Sequence, residues 1–286
     1  MSRGYTRSVG FIVLIVLMSC SLVWAGAQRA AAKQSTPASS DDFLTFGFLP
    51  VESPVALFKR FAPLRDYLST QLQRKIRMET AKNFAEFVRR TEQRQYDIVF
   101  TAPHMALHAL DGKKYELAAT FAKPLKAVIV ARKNSAIQNL SGLEGKTIAT
   151  PPPRAIVTMV GKRYLNKQGL EGIRFQNRHT HNAAYSAVLG QEADAAILSN
   201  FIAVKAIASN IPLKIVAQSD PFPGIGILVA RDLPSATKRH IRTSLLGMNE
   251  LPHGKKILKT IAQPGYVIAK KQQFEALRPY VDAALP

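Results

Sequence analysis

"AVIVARKNSAIQNLSGLEGKTIATPPPRAIVTMVGKRYL", residues 127 to 165, decides the fold of this chain. It opens on a short apolar run, passes a Ser-Gly turn, and resumes as a second apolar run at 146–150. Three prolines follow, and then apolar residues spaced three or four apart. The order is strand, turn, strand, helix. A turn from strand into helix is where open α/β sheets bind small anions, because the first N–H groups of the helix have no partner within it. Proline has no N–H to offer. The turn therefore leaves the N–H groups of Arg154, Ala155 and Ile156, together with the Arg154 guanidinium. Two readings are open. Arg154 holds a carboxylate or phosphate through paired hydrogen bonds, or the prolines start the helix cleanly and Arg154 faces water.

Working outward, the same rhythm fills the chain. Strands are expected at 43–50, 75–81, 96–102 and 115–122, with helices at 56–72, 84–95 and 104–112 between them. Beyond the strand at 126–133 and the decisive stretch come a strand at 173–178, a helix at 182–191, a strand at 193–199, a helix at 200–208 and a strand at 212–219. After "DPFPGIGILVARD" the chain reads as three helical segments with no strands between them, returning to cover the first lobe. Such alternation implies α/β lobes, each a mostly parallel sheet with helices on both faces. Lobe 1 is expected from 43–125 plus 223–286, and lobe 2 from 126–222, the chain crossing over and back.

The 286 residues are 47% hydrophobic and 20% charged, which excludes a disordered chain. Thirty-nine basic residues against 19 acidic ones give a formal charge of +20, which favours an anionic ligand, an acidic partner or a membrane surface. Nucleic acid is not expected, because the basic residues are scattered and no recognition motif accompanies them. Residues 1–27 read as a signal peptide: Arg3 and Arg7, the apolar "FIVLIVLMSCSLVW", then Ala25 and Ala27. Soluble release to the periplasm is the expectation. "LMSC" loosely resembles a lipoprotein signal and keeps a lipid anchor at Cys20 as the alternative. Cys20 is the only cysteine, so the mature chain has no disulfide. Residues 28–42, polar and small, read as a flexible leader.

Several ordered features resemble the periplasmic substrate-binding proteins of phosphate, phosphite and phosphonate importers. They are the Gly-x-x-Pro from Gly47 to Pro50, "FAPLRDYL", "YDIVFTAPHMA", "AVIVARKNSAIQNLSGLEGKTIAT" and "HTHNAAYSAVLGQEADAAIL". The resemblance implies a type II periplasmic-binding-protein fold, in which two crossover strands form a hinge and the lobes close on a ligand. It also implies a membrane permease as partner, and no catalysis.

The resemblance implies a ligand loop as well, and there the chain departs from the pattern. The family's hydroxyl-rich Ser-Thr-Ser-Gly segment falls on "PPPRAIVT", leaving Pro153, Arg154, Ala155 and Thr158 as candidate contacts. A tyrosine of the family falls on Leu125 or Lys126, and one of its amine-binding acids falls near Phe201, so an aminoalkyl phosphonate is not expected. Thr101 and His104 follow a strand end, where ligands of open sheets collect. His181 and Asn182 open a helix. His181 either donates to an anion or only caps that helix. His104 and His108 share a helix face without a third ligand nearby, so no metal is expected, and no cofactor motif is present.

The expected function is that of a monomeric receptor that captures a small anion, such as a phosphonate, phosphite, phosphate or other oxyanion, for import. The alternative is a ligand-sensing subunit for a membrane histidine kinase or another envelope partner. An envelope hydrolase is disfavoured, because no nucleophile–base constellation is legible.

Overall fold

The computed structural model describes residues 43–284; the expected signal peptide, Cys20 and the leader lie outside the described residues. The chain forms two sheets. The first is built from β1 (Phe43–Phe48), β2 (Lys75–Thr80), β3 (Ile98–Thr101) and β4 (Tyr115–Phe121), linked by α1 (Pro54–Leu72), α2 (Phe84–Glu92) and α3 (Pro103–Asp111). The second holds β5 (Ala127–Arg132), β6 (Thr147–Thr150), β7 (Arg174–Asn177), β8 (Ala195–Ser199) and β9 (Leu213–Gln218), with α4 (Ile156–Lys167), α5 (His181–Leu189) and α6 (Asn200–Ala208). The chain then returns as β10 (Gly226–Ala230), α7 (Ser235–Gly247), α8 (Pro252–Thr260) and β11 (Tyr266–Val267).

Strand order is β11-β4-β10-β3-β1-β2 in the first sheet and β7-β6-β8-β5-β9 in the second. Parallel pairing is confined to β1 with β2 and β3, and to β6 with β7 and β8. β10 inserts antiparallel between β3 and β4, and β5 runs antiparallel between β8 and β9. Both sheets are therefore mixed, which corrects the expectation of mostly parallel ones. Periodicity reports which face of a strand is buried and carries no information on direction. β10 was hidden in "DPFPGIGILVARD" by its glycines and prolines, and β11 by its two-residue length. The final segment is 3-10 helix (Lys271–Tyr280) with Pro279 inside it; proline cannot donate an α-helical bond there.

Alternation along β1 sets the packing. Leu44, Phe46 and Phe48 point to a core shared with Leu57, Phe61 and Leu64 of α1. Gly47 faces the other way, against the ring of the fully buried Tyr96. α7 and α8 pack on α1, and the 3-10 segment packs on α3, so the returning chain does cover the first sheet.

The motifs "YD" and "AD" play matching structural parts. Asp97 accepts from the Thr45 backbone N–H at 2.7 Å and the Thr45 hydroxyl at 2.9 Å, and Asp194 accepts from the Thr147 N–H at 2.9 Å. Each aspartate thus pins the start of a neighbouring parallel strand, β1 in one sheet and β6 in the other.

Two segments, 122–126 and 219–225, carry the chain between the sheets and run side by side. Leu125 and Phe222 exchange both backbone hydrogen bonds at 2.9 Å. Gly224 permits this close crossing: a Cβ there would lie 2.7 Å from Cβ of Phe121. The Asn200 side chain ties the same crossing, accepting from Lys126 N–H at 3.1 Å and donating to the Pro124 carbonyl at 3.2 Å.

Candidate functional site

A cavity of about 290 Å³ lies where the loops of the two sheets meet. The first turns of four helices line it: Ser53 and Ala56 of α1, Ala155 to Val157 of α4, Thr180 to Asn182 of α5, and Ser199, Phe201 and Ile202 of α6. Side chains cap three of these helices. Ser53 Oγ accepts from Ala56 N–H at 3.3 Å, Thr180 Oγ1 from Ala183 N–H at 3.1 Å and Ser199 Oγ from Ile202 N–H at 3.3 Å. α4 has no side-chain cap. Among the described residues the N–H groups of Ile156, Val157, His181 and Asn182 have no acceptor. Unpaired N–H groups at the ends of two helix dipoles can hold negative charge.

The proline turn now has a physical account. The Ala155 N–H donates to the Pro152 carbonyl at 2.9 Å, and Thr158 Oγ1 donates to the Pro151 carbonyl at 3.2 Å. The prolines thus form a rigid approach whose own carbonyls are partly satisfied, and the helix presents its first free N–H groups to the cavity.

Of the nine residues singled out from the sequence, Ala155, His181, Asn182 and Phe201 line the cavity, while Thr101, His104, Pro153, Arg154 and Thr158 lie outside its wall. Pro153 is exposed and Arg154 half-buried; what Arg154 contributes is its backbone carbonyl, 3.3 Å from His104 Nε2. A carbonyl only accepts, so Nε2 of His104 carries the proton. His104 is fully buried, and its Nδ1 has no partner. Thr101 is also buried, with an unpaired hydroxyl. Sequence position beside a strand end does not say which side of the turn a side chain takes.

His181 is half-buried as a residue, but its Nδ1 is sealed from solvent and unpaired. Burial pushes both imidazoles down, His104 to about 4 despite its contact with the Arg154 carbonyl, and His181 to about 4. Both are neutral at neutral pH. His108, the other half of the expected i,i+4 pair, is engaged at 2.6 Å with Glu92. Among the described residues no group of three or more His, Cys, Asp or Glu is placed to hold a metal.

Sequence reasoning passed over much of the wall. Ser53 followed by Pro54 is a legible helix start, a capping residue and then a proline, and would have pointed to α1. Phe84, Phe100 and Phe121 come from separate elements and carry no local signal. Glu52 is also in the wall, held by Arg60 Nη1 at 2.5 Å; Arg60 Nε donates in turn to the Ile261 carbonyl at 2.9 Å.

Residues 46–274 match the family described as the periplasmic phosphonate substrate-binding protein of ABC transporters. The chain belongs to this family. It is a substrate-binding component of an ABC import system, a periplasmic protein and not an enzyme. Solved structures share its two-lobed α/β fold. A binding protein component of an ABC phosphonate transporter from Pseudomonas aeruginosa superposes with a TM-score of 0.71 at 19% identity, over 83% of this chain and 85% of that one. PhnD1 from Prochlorococcus marinus, in complex with methylphosphonate, gives 0.74 at 18% identity, over 85% and 98%. A Xanthomonas citri protein bound to ATP gives 0.67 at 16% identity, again over 85% and 98%. At these identities the likeness is one of fold.

Proposed function

We propose that this member of the phosphonate-receptor family captures an organic or inorganic oxyanion between its two lobes and presents it to a membrane permease. The observation that carries the reading is the convergence of four helix N-termini on one cavity, with unpaired N–H groups at α4 and α5. Dipole ends and backbone donors act beside one cationic side chain in the wall, Arg60, which is paired with Glu52, so the lost hydroxyl loop does not remove anion binding. Lobe 1 comprises 43–125 plus 223–286 and lobe 2 comprises 126–222, with the Leu125–Phe222 crossing as the hinge. Contacts such as His104 to the Arg154 carbonyl form when the lobes meet and are lost when they part. The receptor acts as a monomer, released after residue 27, and its positive charge serves small anions and not nucleic acid.

The test is a thermal-shift screen of the purified protein against phosphate, phosphite, methyl- and phenylphosphonate, small sulfonates and small carboxylates. A ligand that binds only the native state raises Tm with concentration. A dose-dependent rise with any of these oxyanions supports the reading, and a flat panel overturns it.

Two substitutions separate backbone from side-chain recognition. Ala155 has φ −70° and ψ 130°, which a following proline accepts, and Ile156 occupies the first helical position. Ile156→Pro therefore removes one donor from the cavity while respecting the backbone. The expected loss is about tenfold or more in anion affinity, the size of one hydrogen bond to a charged group, measured by titration calorimetry against Ile156→Val as control. Arg154→Ala should cost less than about fivefold, as for a screened charge outside the wall. A larger loss would return the guanidinium to the site.

A further inference from the structure

We infer that the ligand is an oxyanion carrying an apolar body, an aryl or branched-alkyl group without an amine, and this rests on the oxyanion reading above. The cavity of about 290 Å³ has room for roughly ten water-sized groups, well beyond a four-heavy-atom phosphonate head. Most of what surrounds the surplus space is apolar. Phe84, Phe100, Phe121 and Phe201 line it together with Leu49 and Ile225. Phe121 ends β4 of the first sheet and Phe201 opens α6 of the second; their rings meet edge-to-face with centroids 5.7 Å apart. The apolar body is thus gripped by aromatic side chains from both lobes beside the hinge, while the charged head rests on the first turns of α4 and α5. Burial of apolar surface supplies the affinity for the body, and the unpaired N–H groups fix the orientation of the head.

The same wall rejects a zwitterion. Glu52 is its one carboxylate, and the Arg60 guanidinium holds that group at 2.5 Å. An ammonium group entering the cavity would lose its hydration and find no free counter-charge. His181 in the same wall is neutral, and its unpaired Nδ1 is sealed from the cavity. It therefore supplies no counter-charge to a permanent cation.

The experiment keeps the head constant and varies the body. Methyl-, n-butyl-, phenyl- and 2-aminoethylphosphonate are titrated into the purified protein by calorimetry, with phosphate and benzyl alcohol as the bodiless and headless probes. Affinity is expected to rise about fourfold for each methylene buried, reaching about 100-fold from methyl- to phenylphosphonate, and to fall for the aminoethyl compound. Phe201→Ser and Phe84→Ser, both at half-buried positions, should shrink the phenyl-to-methyl ratio at least fivefold. Equal affinity for phosphate, methyl- and phenylphosphonate overturns the apolar body and leaves the oxyanion reading standing. Benzyl alcohol binding as tightly as phenylphosphonate overturns the oxyanion reading and this inference with it. Preference for the aminoethyl compound overturns the exclusion of amines.

Discussion

Gly47→Ala is expected to destabilise the protein by about 3 kcal/mol or more, and Gly47→Val to leave little folded material. Gly47 lies on β1, between β2 and β3 in the first sheet, and a Cβ there would fall 2.5 Å from Cγ of Tyr96. The ring cannot withdraw. Tyr96 is fully buried, its ring stacks on Phe87 with centroids 5.6 Å apart, and its carbonyl accepts from the Tyr115 hydroxyl at 2.8 Å. The strand cannot withdraw either, being bonded to β2 on one side and β3 on the other. For a chain of this size the loss corresponds to a fall of about 10 °C in Tm. Tyr96→Ala, which removes the Cγ and Cδ atoms that the new Cβ would meet, should reduce the additional cost of Gly47→Ala. Additive costs in that double variant would place the strain elsewhere.

Acidification from pH 7 towards 4 is expected to produce the second large effect. His104 and His181 are held down to about 4 by burial, against an ordinary value near 6.5. Below about 6.5 the unfolded chain takes up protons at these positions that the folded chain refuses, so stability falls as the pH drops. The loss accumulates between about pH 6.5 and 4 and is absent above pH 7, where both states are neutral. For the fully buried His104 it is on the order of 3 kcal/mol, and for the partly exposed His181 it is smaller. Carboxylates act lower on the scale: hydrogen bonds from Arg89 and Arg90 hold Glu86 down to about 2, so its contribution fades only below about pH 4.5. Urea titrations at pH 7.5, 6, 5 and 4.2 measure the slope. His104→Gln should flatten it even if the variant is less stable at pH 7.5. An unchanged slope would mean that the ring charges freely in the folded state. A bound oxyanion should also soften the loss, because it favours protonation of His181 in the cavity wall.

The sequence by itself determined the order of most elements. Strands such as 98–101 and 195–199 are continuous buried apolar runs, and helices such as α1 and α4 carry apolar residues at the helical period. Those signals are local, so single-chain reading recovers them. It also marked the turn after β6 as a candidate anion site, because a helix start exposes its N–H groups wherever the helix lies. Tertiary structure decided everything that depends on which side of a turn faces the cavity. Arg154 turned out to offer its carbonyl to His104, while Ala155 and the N–H groups behind it face the cavity. The direction of β10, the shared wall of phenylalanines from β3, β4, α2 and α6, and the neutralised Glu52 each join residues far apart in the chain. No local periodicity encodes such meetings. They are fixed by packing, through the crossing at Leu125 and Phe222 that sets the two sheets against each other.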